Sequence, residues 1–120
     1  MKRDMDLVRE ILMETEALPS DNYGGSVLVV EGVDGATLDA HIRLMDEAGL
    51  LNADYMSGTP GSTAYVKSLT WEGHDFLDAI RDDSIWMKVK SRVADTVGTA
   101  SFEILMALAL AMAKEKLGLH

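Results

Sequence analysis

Residues 36–69, ATLDAHIRLMDEAGLLNADYMSGTPGSTAYVKSL, contain the pattern that decides the fold. The first part predicts an amphipathic helix from Ala36 to Ala48, because its apolar residues recur at a spacing of three or four. Gly49 follows directly and is typical of a left-handed helix stop. The predicted buried stripe of this helix consists of Leu38, His41, Ile42 and Met45.

The second part of this stretch predicts a β-hairpin. Asn52–Met56 predicts one strand and Thr63–Leu69 the returning strand, in which Tyr65 and Val66 contribute apolar surface. The segment between them, SGTPGS at 57–62, is rich in turn residues and predicts the hairpin tip. Thr70 then provides an N-cap for a following helix.

The flanking sequence adds further elements. Asp4 can cap a first helix that ends near Ala17, and the β-branched run Ser26–Val30 predicts a strand. Towards the C-terminus we expect a helix that Ser84 caps and that ends near Thr96. A last helix should follow from Ser101 to about Leu117.

This order of elements predicts an α+β fold, with helices and a small antiparallel hairpin. A helix that runs into a hairpin and then into a packing helix is the arrangement of a winged helix-turn-helix, so we expect a winged-helix-like domain. One part of that pattern is absent, because a Gly-rich loop and an apolar strand stand where a short second helix usually lies. We predict this domain over residues 1–83 and a C-terminal helical extension over 84–120.

Composition limits the function classes. The 120 residues carry 11 Lys or Arg and 20 Asp or Glu, a formal net charge of −9, and there is no cysteine. Thiol catalysis, disulfides and Cys-ligated metals are therefore excluded. Residues 1–60 hold twelve acidic side chains against four basic ones, so most of the negative charge lies in the half that holds the hairpin's leading helix.

That helix and hairpin could read DNA. The candidate recognition face consists of Thr37, Ala40, His41 and Arg43, and the candidate wing of Gly58, Thr59, Gly61 and Lys67. Phosphate contacts depend on Lys and Arg, and Lys67 is the one base of the hairpin. DNA is therefore a possible partner that the charge disfavours. The same region carries a candidate acidic interaction face of Asp39, Asp46 and Glu47, which favours a protein partner. His41 could instead be a packing histidine.

The sequence contains no persuasive catalytic, metal or cofactor site. Asp75, Asp78 and Asp82 share one helix face near His74, but nothing converges on them, so a solvated acidic face is the better interpretation. The glycines at 58 and 61 precede a strand and lack the Lys-Ser/Thr ending of a phosphate loop. We expect a non-enzymatic protein without a cofactor.

The last predicted helix is apolar nearly all round, which requires burial on more than one side. We expect a homodimer through this helix, with burial within the chain as the alternative. The candidate interface consists of Phe102, Leu105, Leu108 and Met112. Because the most apolar stretch, residues 102–113, is too short to cross a bilayer, we expect no membrane association and a cytoplasmic location.

Three stretches carry a resemblance to a known family. MKRDMDL at 1–7, LTWEGHDFLDAIRDD at 69–83, and HIRLM with EAGLL at 41–51 resemble an uncharacterised bacterial and phage-associated family of the domain-of-unknown-function type. The resemblance covers nearly the whole chain. It implies a winged-helix-like fold and a prophage or phage association, and it implies no activity and no catalytic residue.

These expectations leave two functions open. The first is a DNA-binding transcriptional regulator of phage or prophage type, which the predicted fold favours. The second is an acidic protein-interaction module, such as a phage factor that inhibits a host nucleic-acid-binding protein, and the charge favours this one.

Overall fold

A computed structural model of the chain describes residues 1–57, 62–94, 104 and 107–112. In chain order the elements are α1 (Met5–Glu16), α2 (Gly35–Glu47), β1 (Leu51–Ser57), β2 (Ser62–Leu69), α3 (Trp71–Ile80) and α4 (Asp83–Ala94), and residues 107–112 are helical as well. The predicted α+β arrangement of helices with an antiparallel hairpin is confirmed.

The chain divides into two compact units, Met1–His74 and Asp75–His120. In the first unit, α1 and α2 pack against each other and against the two-stranded sheet. In the second, the buried side chains come from α3, α4 and the helical residues 107–112. The division that we predicted between residues 83 and 84 stays a prediction.

The predicted boundaries of α1 and α2 and the predicted start of α3 agree with the structure to within a residue or two, whereas the predicted ends of the last helix, Ser101 and Leu117, lie outside the described residues. The Asp4 side chain accepts hydrogen bonds from the backbone N–H groups of Asp6 and Leu7, so it caps α1 as expected. The carboxylate of Asp34 accepts from the N–H of Thr37 at the start of α2. A hydrogen bond with the Thr37 side chain, together with the bond from the Thr37 N–H, lowers the pKa of Asp34 below its ordinary value.

Two predicted features differ from the structure. The start of α4 is capped by Asp82, whose carboxylate accepts from the N–H groups of Ser84 and Ile85, so the predicted Ser84 cap is wrong by two residues. The predicted strand Ser26–Val30 is also wrong. Only Ser26 forms a β-bridge, with Val66 of β2, and the ladder does not continue beyond it.

The hairpin follows α2 through a complete Schellman motif. Gly49 has a φ of 78°, its N–H donates to the carbonyl of Asp46, and the N–H of Leu50 donates to the carbonyl of Met45. The chain then enters β1, which pairs antiparallel with β2 from Leu51↔Leu69 to Ser57↔Ser62, with an irregularity at Asn52/Ala53. The predicted stop at Gly49 is confirmed.

The backbone of Leu50 also holds the start of α3. The carbonyl of Leu50 accepts from the N–H of Thr70 at 3.0 Å, and the Thr70 hydroxyl donates to the carbonyl of Gly49. That hydroxyl in turn accepts from the N–H of Gly73, so Thr70 is the N-cap that the sequence predicts. The end of α2 and the start of α3 are thereby joined backbone to backbone.

Gly73 lies so close to Leu50 that the position has no room for a side chain. A Cβ built on Gly73 would lie 1.9 Å from the Leu50 carbonyl oxygen, which is backbone and cannot rotate away. We therefore predict that Gly73→Ala destabilises the protein by about 3 kcal/mol, at the upper end of ordinary overpacking. Urea unfolding followed by circular dichroism measures this loss.

Gly24→Ala provides the matched control, since a Cβ there meets nothing within 4 Å. We expect this variant to unfold within about 0.5 kcal/mol of the parent, as surface substitutions do. Equal stability of Gly73→Ala and Gly24→Ala would contradict the close contact between Gly73 and Leu50.

Candidate interaction surface on the second helix and the hairpin

The candidate recognition residues of α2 do not share one environment. Thr37, Ala40 and Arg43 are half-buried, whereas His41 is fully buried with 0% of its surface exposed. The prediction that His41 belongs to an exposed recognition face is therefore wrong. The reason is helical geometry, because residue 41 lies on the same stripe as the buried Leu38 and Met45.

Both ring nitrogens of His41 are hydrogen-bonded. Nε2 lies 2.9 Å from the backbone N of Asp4, which can only donate, and Nδ1 lies 2.9 Å from the carbonyl oxygen of Thr37, which can only accept. A neutral imidazole with its hydrogen on Nδ1 satisfies both partners. His41 therefore fastens the start of α1 to α2, and the packing interpretation of this histidine is confirmed.

Arg43, the basic residue of the candidate recognition face, stacks on a tyrosine of the hairpin. Its guanidinium carbon lies 4.1 Å from the centre of the Tyr55 ring, within the range of a cation–π interaction. The Tyr55 hydroxyl donates a hydrogen bond of 2.7 Å to the carboxylate of Asp46. Arg43, Tyr55 and Asp46 thus form one cluster between α2 and β1, which we call the tyrosine cluster.

The tyrosine cluster changes the acid–base behaviour of Tyr55. Partial burial raises the pKa of the Tyr55 phenol far above its ordinary value of 10.0, and the hydrogen bond to the negative carboxylate of Asp46 raises it further. The phenol therefore stays protonated and remains a hydrogen-bond donor. Asp46 is consequently engaged within the protein, although its carboxylate remains part of the acidic surface.

Lys67, the basic residue of the hairpin, also has a partner. Lys67 Nζ lies 2.8 Å from Oδ2 of Asp54, and both side chains are partly exposed. The two residues lie on neighbouring strands, since Asp54 pairs with Tyr65 in the register of the sheet. This ion pair neutralises the positive charge that the candidate wing would otherwise present.

The exposed side of α2 therefore presents more negative than positive charge. Asp39 is half-buried and Glu47 is exposed, and they join Asp46 against Arg43, which already stacks on Tyr55. Asp54 and Lys67 lie on the other face of the hairpin, because Tyr55 faces α2 and side chains alternate along a strand. We call the set of charged residues on α2 the acidic surface, and it consists of Asp39, Arg43, Asp46 and Glu47.

Tyr55 and Asp54 did not appear among the predicted site residues. A signal for Tyr55 exists in the sequence, because Ala53 and Tyr55 alternate with polar residues in β1 and so share the sheet face that α2 covers. Its contact with Asp46 joins residues nine positions apart, and no local period indicates such a pair.

The remaining predicted residues are only partly described. Gly58, Thr59 and Gly61 of the wing, and Phe102 and Leu105 of the dimer interface, lie outside the described residues. Leu108 and Met112 are half-buried and line a cleft of about 550 Å³ within the second unit, together with Ile85, Lys88 and Arg92 of α4. Dimerisation through the C-terminal helix stays a prediction.

A cleft of about 450 Å³ lies in the first unit, and its lining includes Glu16, Lys67 and His74. Over residues 1–57, 62–94, 104 and 107–112, no group of three His, Asp or Glu side chains could hold a metal ion. Within those same ranges, no helix is long and apolar enough to span a bilayer.

The fold and this surface define an α+β protein in which two helices pack on an antiparallel hairpin and the second helix carries an acidic surface. Residues 2–100 match the family model described as "Hypothetical protein (DUF2513)", and the chain belongs to this family. The predicted resemblance to a domain-of-unknown-function family is thus confirmed.

A relative from Haemophilus influenzae, described as "Uncharacterized protein", is 36% identical to this chain over 95 residues. The match covers 78% of this chain and 79% of the relative. No solved structure matches the chain significantly.

The hydrogen bonds of His41 lead to a prediction about the stability of the protein. We expect His41→Phe to lower the free energy of unfolding by about 2 kcal/mol, because the Asp4 N–H loses its partner at the junction of α1 and α2. Urea denaturation at neutral pH measures the change. The exposed His74 provides the control, and His74→Phe should leave the midpoint nearly unchanged.

The tyrosine cluster generates a prediction for alkaline pH. Unfolding releases Tyr55 to ionise near its ordinary pKa of 10.0, whereas the folded protein keeps it protonated, so the contribution of Tyr55 to stability is complete below pH 10 and is lost as the pH rises above it. We expect Tyr55→Phe to flatten the fall of unfolding free energy above pH 10. Urea midpoints measured at several alkaline pH values for both proteins provide the test, and parallel pH profiles would contradict the raised pKa.

Proposed function

We propose that this protein is a non-enzymatic regulatory binding protein whose acidic surface binds a basic region of another protein. The observation that carries the proposal is the engagement of the two bases of α2 and the hairpin. Arg43 on the acidic surface is stacked on Tyr55, and Lys67 on the other face of the hairpin is paired with Asp54, so neither offers an unengaged charge to a phosphate. The carboxylates of Asp39 and Glu47 add to a field that attracts cations and repels polyanions.

The chemistry of the partner follows from this field. A Lys- or Arg-rich segment would meet the carboxylates of Asp39, Asp46 and Glu47 on α2, and such complementarity increases the rate of association and selects against acidic partners. Proteins that bind nucleic acid carry segments of this composition. An acidic phage or prophage factor that blocks such a protein in the cytoplasm is the specific form of the proposal.

A DNA-binding transcriptional regulator is the second candidate. It is favoured by the arrangement of a helix followed directly by an antiparallel hairpin, which resembles a recognition helix and its wing. The negative charge of the acidic surface disfavours this candidate, because non-specific affinity for duplex DNA comes from cations that neutralise phosphates.

A mobility-shift titration with random-sequence duplex at low salt separates the two candidates. We expect no shift by the parent protein at about 10 µM. Asp39→Lys/Glu47→Lys should produce a shift, because it reverses the field on this surface while the tyrosine cluster remains intact. A control with the same net charge is Glu10→Lys/Glu14→Lys on the exposed side of α1, which should produce none. A shift by the parent protein would overturn the preference for a protein partner.

A synthetic Lys- and Arg-rich peptide of about 20 residues tests the protein partner directly, and fluorescence anisotropy measures its affinity. We expect Asp39→Asn/Glu47→Gln to weaken binding roughly tenfold and Glu10→Gln/Glu14→Gln to leave it nearly unchanged. Equal losses in the two variants would show general charge attraction and would contradict a defined acidic surface.

A further inference from the structure

The run Ser26–Val30, SVLVV, is composed like a strand and yet lacks a strand ladder. Ser26 exchanges two backbone hydrogen bonds of 2.8 Å with Val66, so the run begins as a third strand beside β2. Gly25 permits this approach, because its φ is 78° and a Cβ there would lie 2.9 Å from the Cβ of Tyr65. After Ser26 the pairing stops.

The side chains of this run alternate as those of an extended strand do. Val27 is 53% exposed, Leu28 is buried at 8%, and Val29 is 83% exposed. The β-branched side chains of Val27 and Val29, on either side of the buried Leu28, are thus exposed to solvent. Burial of these valines against an apolar partner would be favourable, because it removes apolar surface from water.

The backbone of the run is available for pairing. Among the described residues, none forms a backbone hydrogen bond with Val27, Leu28 or Val29, while the carbonyl of Val30 accepts from the N–H of Val33 in the following turn. Because Ser26 directs both its backbone groups to β2, those of Val27 and Val29 lie on the opposite edge. An unprotected edge of this kind is a template for another strand.

A second copy of the same run fits this edge. When two copies lie antiparallel about a two-fold axis through Leu28, Val27 of each chain lies opposite the partner's Val29, and each such pair exchanges both backbone hydrogen bonds. The four exposed valines then lie beside one another on one face of the joined sheet. The run from Ser26 to Val30 carries no charge, so the like-charged surfaces of the two copies do not meet along it.

We propose that two copies of this protein associate by antiparallel pairing of their Ser26–Val30 runs, which extends the sheet of each copy across a two-fold axis. This interface is independent of the acidic surface and of the predicted contact through the C-terminal helix. It also gives the strand-like sequence of the run a partner that the single chain does not supply.

Sedimentation equilibrium over a range of protein concentrations tests the proposal. The parent protein should reach twice the chain mass of 13.1 kDa, and added salt should strengthen the association, because it screens the repulsion between two chains of net charge −9. Val27→Lys/Val29→Lys should remain at 13.1 kDa, and circular dichroism should show the parent fold, because both side chains are exposed. Val29→Thr keeps a β-branched side chain and should retain the dimer.

Met56→Lys and Leu110→Lys serve as matched controls, since each replaces another exposed apolar side chain with lysine. Neither should change the mass of the dimer. A dimer that survives Val27→Lys/Val29→Lys would overturn the proposal, as would a dimer that Leu110→Lys alone dissociates. A parent protein that stays at the chain mass at every concentration would also overturn it and would leave the edge to a strand of another protein.

Amide hydrogen exchange supplies a readout that contact between side chains alone would not produce. The N–H groups of Val27 and Val29 should exchange quickly in dilute protein and slow at least tenfold as the dimer forms, because pairing places them in backbone hydrogen bonds. Unchanged exchange at these two residues in a proven dimer would overturn strand pairing as its cause.

Discussion

The carbonyl of Leu50 is the point on which the first unit depends. It follows the Schellman stop of α2, precedes β1, accepts from the N–H of Thr70 at the end of β2, and faces Gly73 at the start of α3. Four elements therefore meet at one peptide group, where no side chain intervenes. Backbone contacts of this kind are short and stiff, so they fix the angle at which the hairpin leaves α2. That angle brings β1 beside α2 and so creates the contacts of Tyr55 with Arg43 and Asp46.

The charges of α2 and the hairpin illustrate how packing changes the meaning of a charge count. Arg43 and Lys67 count as two positive charges in the sequence, and in the structure each faces a partner within the chain. Exposed pairs of this type contribute little to stability, but they reduce the positive potential that a phosphate would meet. The net charge of −9 thus understates how poorly these two elements suit DNA.

The sequence predicted most of the helices because their signals are local. Asp4, Thr70 and Gly49 each act on the backbone within a few residues, and the structure confirms all three. The run Ser26–Val30 shows the limit of this reasoning. Its β-branched residues favour an extended backbone, but a ladder needs a neighbouring strand with free backbone groups along its whole length, and β2 pairs with this run only at Val66. The predicted Ser84 cap of α4 was wrong because Asp82 and Ser84 are both good caps, and only the backbone path decides between them.

By itself the sequence determined the α+β class, the boundaries of α1 and α2, the hairpin and the acidic character, because periodicity, caps, turn residues and charge are properties of neighbouring residues. The family match agrees with that pattern over residues 2–100. The tertiary structure alone decided which side chains meet. In the structure His41 lies in the core and not on a recognition face, and Tyr55 contacts Asp46 and Arg43. Val27 and Val29 are exposed to solvent. Those outcomes depend on the approach of elements that are distant along the chain, and a close contact such as that between Gly73 and Leu50 sets that approach.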